Sequence, residues 1–253
     1  MRIIVTPDRD QMGYWVAEQA SLALRDAINL RGEANLLIAT GSSQFEVLSS
    51  LAASVDVPWD KVTGFHLDEY IGLSPDHAAS FCGYLKSRFI DRVPLKHFYV
   101  LRGDGDANET MRIVGDELLS HRIDVALVGI GENGHLAFND PPADFETTSP
   151  YLAVELDEAC RRQQVGEGWF DSLEAVPTHA MSMSIRQILN SAKIFCSVPD
   201  ERKALAVQRS VEGSVTPDVP ASILQTHRDV TLVIDRAAAS LLSTKTLSAA
   251  EKL

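Results

Sequence analysis

The stretch DVALVGIGENGHLAFNDP, residues 124–141, joins an apolar segment to a glycine-rich turn with several polar side chains. The apolar part, Val125–Gly129, is a continuous run rather than an alternating one, which is typical of a strand covered on both faces by helices. Glycines such as Gly131 let a backbone approach a ligand, and Asn133, His135 and Asp140 follow close together. An imidazole near a carboxylate is a natural proton carrier near pH 7. The stretch therefore predicts a site with acid–base chemistry at a strand end.

The glycines of this turn also match the spacing GxGxxG, at Gly129, Gly131 and Gly134. That spacing marks a dinucleotide site when it lies in the first βαβ unit and opens a helix. Here it lies in the middle of the chain, and no helical pattern follows Gly134. We therefore predict that this turn does not bind a dinucleotide cofactor.

Similar apolar runs alternate with amphipathic stretches along the whole chain. The predicted strands are Arg2–Val5, Asn35–Ala39, Val62–Leu67, Phe98–Leu101, Val125–Gly129, Ala180–Ile185, Lys193–Val198 and Thr231–Ile234. The predicted helices are Asp10–Leu30, Phe45–Leu51, Ser80–Ile90, Asn108–Ser120 and Arg202–Val211. Repeated βαβ units predict one α/β domain over residues 1–253, with a three-layer, Rossmann-like, mostly parallel sheet and helices on both faces. Residues 140–149 and 160–173 are predicted loops able to cover a site.

Ligands of an open parallel sheet bind beyond the carboxyl ends of its strands, so the segments after other strands are informative. Thr40, Gly41, Ser42 and Ser43 follow the second predicted strand. Their hydroxyls, with backbone N–H groups at the start of a helix, can hold an anion. The alternative is an ordinary turn with a serine N-cap. No P-loop lysine follows, which excludes a nucleotide-hydrolase motif.

Two adjacent carboxylates, Asp68 and Glu69, end the third predicted strand. Neighbouring side chains of an extended chain point in opposite directions. We therefore expect different roles, one carboxylate facing the site and the other pairing structurally. The alternative for such an acidic pair is a solvated loop.

Composition excludes several classes of protein. The formal net charge of −12 disfavours binding to nucleic acid or to an anionic membrane. The three cysteines form no CxxC pair, which fits a reducing cytosol. No apolar run approaches the roughly 20 residues of a membrane span, and no histidines have metal-ligand spacing. These features predict a cytoplasmic protein without a metal site.

Taken together, several motifs resemble the glucosamine-6-phosphate deaminase/isomerase family, which is related to the 6-phosphogluconolactonases. They occur in order along nearly the whole chain, at Ala39–Ser43, Leu67–Leu73, Gly129–Pro141, Val176–Ala180, Lys203–Ala206 and Ser222–Gln225. The Asp-Glu-Tyr segment and the Gly-His-Leu-Ala-Phe-Asn segment are specific to the deaminases. Lactonases of this fold continue differently after the Gly-His pair.

The resemblance implies a cofactor-free reaction that converts glucosamine 6-phosphate and water to fructose 6-phosphate and ammonia. It implies that His135 assists ring opening, that Asp68 moves a proton between C2 and C1, and that Asn133 and Asp140 orient His135. It further implies that the substrate contacts include Thr40, Gly41, Ser42, Ser43, Glu69, Gly131 and Lys203. The family includes monomers and larger homo-oligomers.

The chain departs from the family pattern at two places. Asp140 stands where the family usually has Glu, and Gly168 stands where an Arg precedes two aromatic residues. Arg161 or Arg162 is the candidate replacement for that cation. Two alternatives remain: a lactonase-type hydrolase on the same fold, and a sugar-phosphate-binding sensor with weak catalysis.

Overall fold

The centre of the protein is an eight-stranded sheet in which all neighbouring strands run parallel, seen in a computed structural model that describes residues 1–253. Numbered along the chain, its strands are β1 (Arg2–Thr6), β2 (Ala34–Ile38), β3 (Val62–His66), β5 (His97–Tyr99), β6 (Val125–Val128), β9 (Lys193–Val198), β10 (Val230–Asp235) and β11 (Glu251–Lys252). Their order across the sheet is β11-β1-β10-β9-β6-β2-β3-β5. The predicted α/β class and mostly parallel sheet are therefore confirmed.

Helices cover both faces of this sheet, as predicted. They are α1 (Arg9–Arg31), α2 (Phe45–Ala52), α3 (Phe81–Arg88), α4 (Ala107–Ser120), α5 (Glu158–Gly166), α6 (Ile185–Leu189), α7 (Ala204–Glu212) and α8 (Thr244–Ala249). All residues of β2 are buried. Leu36 and Ile38 belong to the core under α1 and α2, whereas Leu37 belongs to the core on the other face. This double burial explains the continuous apolar run in the sequence. None of the helices is long and apolar enough to cross a bilayer.

The boundaries of α1 follow from its local sequence. The Asp8 side chain accepts a hydrogen bond from the N–H of Gln11 and caps the start of the helix. At the other end Gly32 adopts a left-handed conformation with φ of 84°, and its N–H bonds to the carbonyl of Ile28. The predicted helix with its glycine stop is confirmed.

The strand order places a switch point between β2 and β6. From β2 the chain continues outward through β3 to β5, then returns to β6 beside β2 and continues the other way to β9 and β10. Loops after β2 and β6 therefore leave their shared edge in opposite directions. Such a switch opens a crevice at the carboxyl ends of the strands, where ligands of this architecture bind.

A second sheet lies beside the first and is antiparallel. Its three strands are β4 (Asp68–Tyr70), β8 (His179–Met183) and β7 (Tyr151–Glu155), in that order. The predicted strand Ala180–Ile185 is β8, so its assignment to the parallel sheet was wrong. Its partners β4 and β7 are short and were not recognised. This small sheet packs with nine buried residues, among them Tyr70, Phe138 and Phe170.

The segment 160–173, predicted to be a loop, is largely helical. Asp157 caps α5 by accepting a hydrogen bond from the N–H of Cys160, and Cys160 and Gln164 face the interior. The helix is short and mostly polar, so its periodicity is weak. In contrast, residues 140–149 contain no helix or strand, as predicted.

Candidate active site

A cleft opens at the switch point and contains most of the predicted site residues. Its empty volume is about 580 Å³ when the space open to solvent is counted. Eight predicted residues line it: Thr40, Gly41, Ser42, Ser43, Asp68, Gly131, His135 and Lys203. They come from the segments that follow β2, β3, β6 and β9, four strands that lie side by side.

One end of the cleft has the chemistry of an anion site. Ser42 and Ser43 form a short 3-10 turn directly before α2. Lys203 lies near them, because Glu167 contacts both the Ser42 hydroxyl and the ammonium group of Lys203. Lys203 is only 6% exposed. Burial lowers the pKa of Lys203, and the nearby carboxylates of Glu167 and Glu132 act in the opposite direction. A buried ammonium group stabilises an anion more than an exposed one, since water screens it less.

Asp68 also lines the cleft. Its backbone is held in β4, where it pairs with Ser182 of β8. The side-chain atom Oδ1 is buried and has no hydrogen-bond partner. Burial, followed by the charge of Glu69, raises the pKa of Asp68 to about 8. An unpartnered carboxyl group in a ligand cleft is suited to exchange protons with a bound molecule.

The neighbouring carboxylate, Glu69, points away from the cleft. It accepts hydrogen bonds from the Ser80 hydroxyl and from the N–H groups of Tyr70, Phe81 and Cys82. Three of these donors lie at the start of α3. The predicted division of roles between the two carboxylates agrees with this geometry. The prediction that Glu69 contacts substrate does not, because this side chain is fully buried outside the cleft.

Replacing Glu69 by Ala should destabilise the protein by about 3–5 kcal/mol, because four buried donors lose their acceptor and a void remains. Urea unfolding measured by circular dichroism tests this expectation. Glu33→Ala is the matched control, since the Glu33 side chain is half exposed and pairs only with Lys96 at the surface. A loss no larger than that of the control would show that Glu69 does not support α3.

His135 is oriented by a carboxylate behind it. Its Nδ1 atom lies 2.8 Å from Oδ1 of Asp140, and its backbone N–H donates to Oδ1 of Asn133. The amide of Asn133 also donates to Asp140, and Oδ2 of Asp140 accepts the N–H of Asp157. Asn133 and Asp140 therefore lie behind His135 and outside the cleft lining, in the orienting positions predicted for them.

The ionisation of Asp140 decides which nitrogen of His135 carries a proton. Burial opposes ionisation of Asp140, but the hydrogen bond and charge of His135, together with Asn133 and Asp157, hold the pKa of Asp140 below its usual value. An ionised Asp140 only accepts, so Nδ1 of His135 carries a proton. Nε2 is then the atom available for exchange with a ligand.

Gly131 and Asn139 shape the loop that carries His135. A Cβ atom on Gly131 would lie 2.2 Å from Nε2 of His135, so only glycine leaves room for the imidazole ring. The loop is anchored by Asn139, whose amide donates to the carbonyls of Leu136 and Met183. Asn139 was not recognised as important, because its partner Met183 is distant in sequence.

Arg161 and Arg162 interact with groups outside the cleft. Arg161 donates to the carbonyls of Leu173 and Val176, and Arg162 is exposed and paired with Glu158. Neither lines the cleft, so the proposed replacement of the family arginine by Arg161 or Arg162 was wrong. Instead α5 and the turn after it supply Gln163, Gln164 and Glu167 to the cleft wall. An aspartate N-cap before a run of helix formers was the available signal for this helix.

These features define a Rossmann-like α/β protein whose switch-point cleft carries an oriented histidine and potential anion-binding groups. The family model of glucosamine-6-phosphate isomerases and 6-phosphogluconolactonases matches residues 7–233. The chain therefore belongs to this family.

Two relatives are similar over most of their length. The chain is 36% identical over 249 residues to a glucosamine-6-phosphate deaminase of Clostridium acetobutylicum, covering 96% of this chain and 100% of the relative. It is 40% identical over 212 residues to that of Lacticaseibacillus paracasei, covering 82% of this chain and 86% of the relative.

Solved structures agree with this placement. A monomeric glucosamine-6-phosphate deaminase superposes with a TM-score of 0.86 at 30% identity, covering 95% of this chain and 100% of that chain. A 6-phosphogluconolactonase from Trypanosoma brucei superposes with a TM-score of 0.79 at 14% identity, covering 96% of this chain and 98% of that chain. The second likeness shows the shared fold alone.

Proposed function

We propose that this chain is a glucosamine-6-phosphate deaminase, which converts glucosamine 6-phosphate and water to fructose 6-phosphate and ammonia. The observation that carries the proposal is the distribution of groups along one cleft. Asp68, with its unpartnered oxygen, and His135, oriented by Asp140, line this cleft. Ser42 and Lys203 line the same cleft at its anion end, where a phosphate group would bind. The relatives named above support this substrate.

The proposed reaction begins with ring opening. Nε2 of His135 takes the proton from the C1 hydroxyl and returns one to the ring oxygen as the C1–O5 bond breaks. Because Asp140 holds Nδ1, the imidazole keeps one orientation throughout this exchange. The product of the step is an open-chain aldehyde, in which the C2 proton is acidic.

Asp68 then removes the C2 proton, and the electron pair forms a C1–C2 double bond while the aldehyde oxygen takes a proton from solvent water, a proton that finally leaves with the ammonia. The resulting enolamine is protonated at C1 by the same carboxyl group, which leaves an imine at C2. Addition of water and loss of ammonia give the ketone, so atoms balance. One carboxyl group suffices, since C1 and C2 are adjacent.

The compartment and the assembly state are parts of the same proposal. Cys82, Cys160 and Cys196 are free and buried, which suits a reducing cytoplasm. We place the enzyme there, acting on a small sugar phosphate. The relative of known structure is monomeric, and we propose that one chain likewise contains the whole site, whether or not the protein forms homo-oligomers.

Purified protein should release one ammonia for each fructose 6-phosphate formed from glucosamine 6-phosphate. Coupled assays for both products measure this ratio, with galactosamine 6-phosphate and 6-phosphogluconolactone as further substrates. Ammonia release from galactosamine 6-phosphate alone would reassign the sugar. Hydrolysis of the lactone with no ammonia from either amino sugar would refute the proposal. Binding of a sugar phosphate without turnover would favour the sensor.

A further inference from the structure

The anion end of the cleft already contains a carboxylate from the protein itself. Glu167 lies just after α5, and its side chain is only 6% exposed. One oxygen, Oε2, accepts from the Ser42 hydroxyl at 3.4 Å and from the indole N–H of Trp169 at 3.2 Å. The other, Oε1, accepts from the amide of Gln163 at 2.8 Å and lies 3.9 Å from the ammonium group of Lys203. Glu167 therefore uses the same donors that a phosphate group would need.

Among the cations around this end, Lys203 is the one within ion-pair distance of Glu167. Lys203 is the only lysine or arginine in the cleft lining. Arg9 is engaged by Glu46 and by the carbonyl of Ser42. Arg202 is engaged by Asp200 and Glu132. A phosphate dianion placed beside Lys203 would thus meet an acidic side chain at close range in a partly buried site, where like charges repel strongly.

From these contacts we propose that Glu167 is a specificity-determining residue that competes with the phosphate group of the substrate for Ser42 and Lys203. Phosphate binds only when the carboxylate leaves the anion end, which also breaks its bonds to Gln163 and Trp169. The energy of this exchange is subtracted from the binding of every phosphorylated ligand. The inference rests on the proposed function for the identity of the sugar, but not for the binding of phosphate itself.

The exchange has a consequence for substrate choice. A sugar with a neutral hydroxyl in place of the phosphate group does not compete with Glu167 for Lys203. Its binding free energy is therefore not reduced by this exchange. Glu167 therefore narrows the preference for phosphorylated over unphosphorylated amino sugars. Removing the charge of Glu167 should widen that preference, because only the phosphorylated ligand would then bind more tightly.

The experiment compares the wild-type protein with Glu167→Gln and, as a matched control, Glu158→Gln. Glu158 is the first residue of α5, the helix that Glu167 follows. Its side chain is 64% exposed and pairs with Arg162 away from the cleft. Calorimetry gives the Kd of inorganic phosphate, and ammonia release gives kcat and KM for glucosamine 6-phosphate and for glucosamine. In Glu167→Gln we expect the Kd of phosphate and the KM of the sugar phosphate to fall about tenfold, which corresponds to about 1.4 kcal/mol. We expect kcat to change less than twofold and the control to match the wild type.

Glu167→Ala provides a second variant that removes the carboxylate altogether, and it should tighten phosphate binding in the same direction. Unchanged phosphate affinity in both folded variants would overturn the inference and leave Glu167 as a structural link between α5 and Ser42. Weaker phosphate binding would also overturn it, because Glu167 would then support the anion site. If no amino-sugar phosphate yields ammonia, the proposed function fails, but the phosphate measurements still decide the role of Glu167.

Discussion

Asp68→Asn should lower kcat for ammonia release by about a thousandfold or more, the scale expected when a positioned acid–base group is lost. The amide cannot accept the C2 proton, while it preserves the shape of the carboxyl group and the β4 backbone. KM should change little, because no hydrogen bond or ion pair links Asp68 Oδ1 to Ser42 or Lys203. Steady-state ammonia assays measure both constants. A kcat within tenfold of the wild type would assign the proton transfer to another residue.

The pH dependence of the wild-type enzyme should carry the signature of the same residue. Burial and Glu69 raise the pKa of Asp68 to about 8, and the base must be ionised in the free enzyme. We expect kcat/KM to rise with pH and to level off above about pH 8. The residual kcat/KM of Asp68→Asn should not show this rise with pH. A wild-type limb near pH 4 would show that Asp68 ionises as an exposed carboxyl group does.

Stability should change in the opposite sense to activity. Between about pH 4 and pH 8 the folded protein keeps a proton on Asp68 that the unfolded chain releases, so the stability contribution is present at low pH and is lost as pH rises. The variant Asp68→Asn has no titrating group at this position, so it does not lose this stability as pH rises. We therefore expect the melting temperature of the variant, relative to wild type, to increase from pH 5 to pH 8, by about 2–4 °C per kcal/mol. A constant difference would contradict the raised pKa.

The second large effect concerns His135 and Asp140 as a unit. His135→Gln and Asp140→Asn should each lower kcat by about 10²–10⁴-fold, because one removes the proton carrier and the other removes the acceptor that fixes its orientation. The two side chains meet at 2.8 Å and act in one step. The double variant should therefore be little worse than the poorer single variant.

Steady-state kinetics of the four proteins test this coupling directly. His179→Gln and Asp116→Asn form a matched control pair, since both side chains are exposed and lie outside the cleft. Losses that multiply in the double variant would show that His135 and Asp140 act independently. Asp140→Glu tests the reach of the carboxylate, and the short contact made by Asp140 predicts no gain in kcat from the longer side chain.

Much of the fold was predictable because it is encoded locally. The runs in β2 and β6 are apolar because helices cover both faces, and the helix α1 carries its own cap and glycine stop. Such patterns depend on burial and backbone geometry over a few residues. The segments after β2, β3 and β6 were predicted to meet for the same reason, since parallel strands deliver their carboxyl ends to one edge.

The tertiary structure decided what depends on partners far apart in the chain. The residues alone left open which of the two adjacent carboxylates faces the ligand. Glu69 turns outward because the N–H groups at the start of α3 converge on it, more than ten residues later. The strand β8 joins an antiparallel sheet because β4 and β7 lie on either side of it.

The anion end of the cleft shows most clearly what the sequence determined and what the tertiary structure decided. The sequence by itself indicated Ser42 and Ser43 as candidate anion donors from their place after a strand, and Lys203 through the family resemblance. Only the fold brings Glu167 between them, because α5 returns its polar face over the cleft. A carboxylate of a short polar helix has no local pattern that distinguishes it from a solvated one. Its role depends on the buried cation that it meets in space.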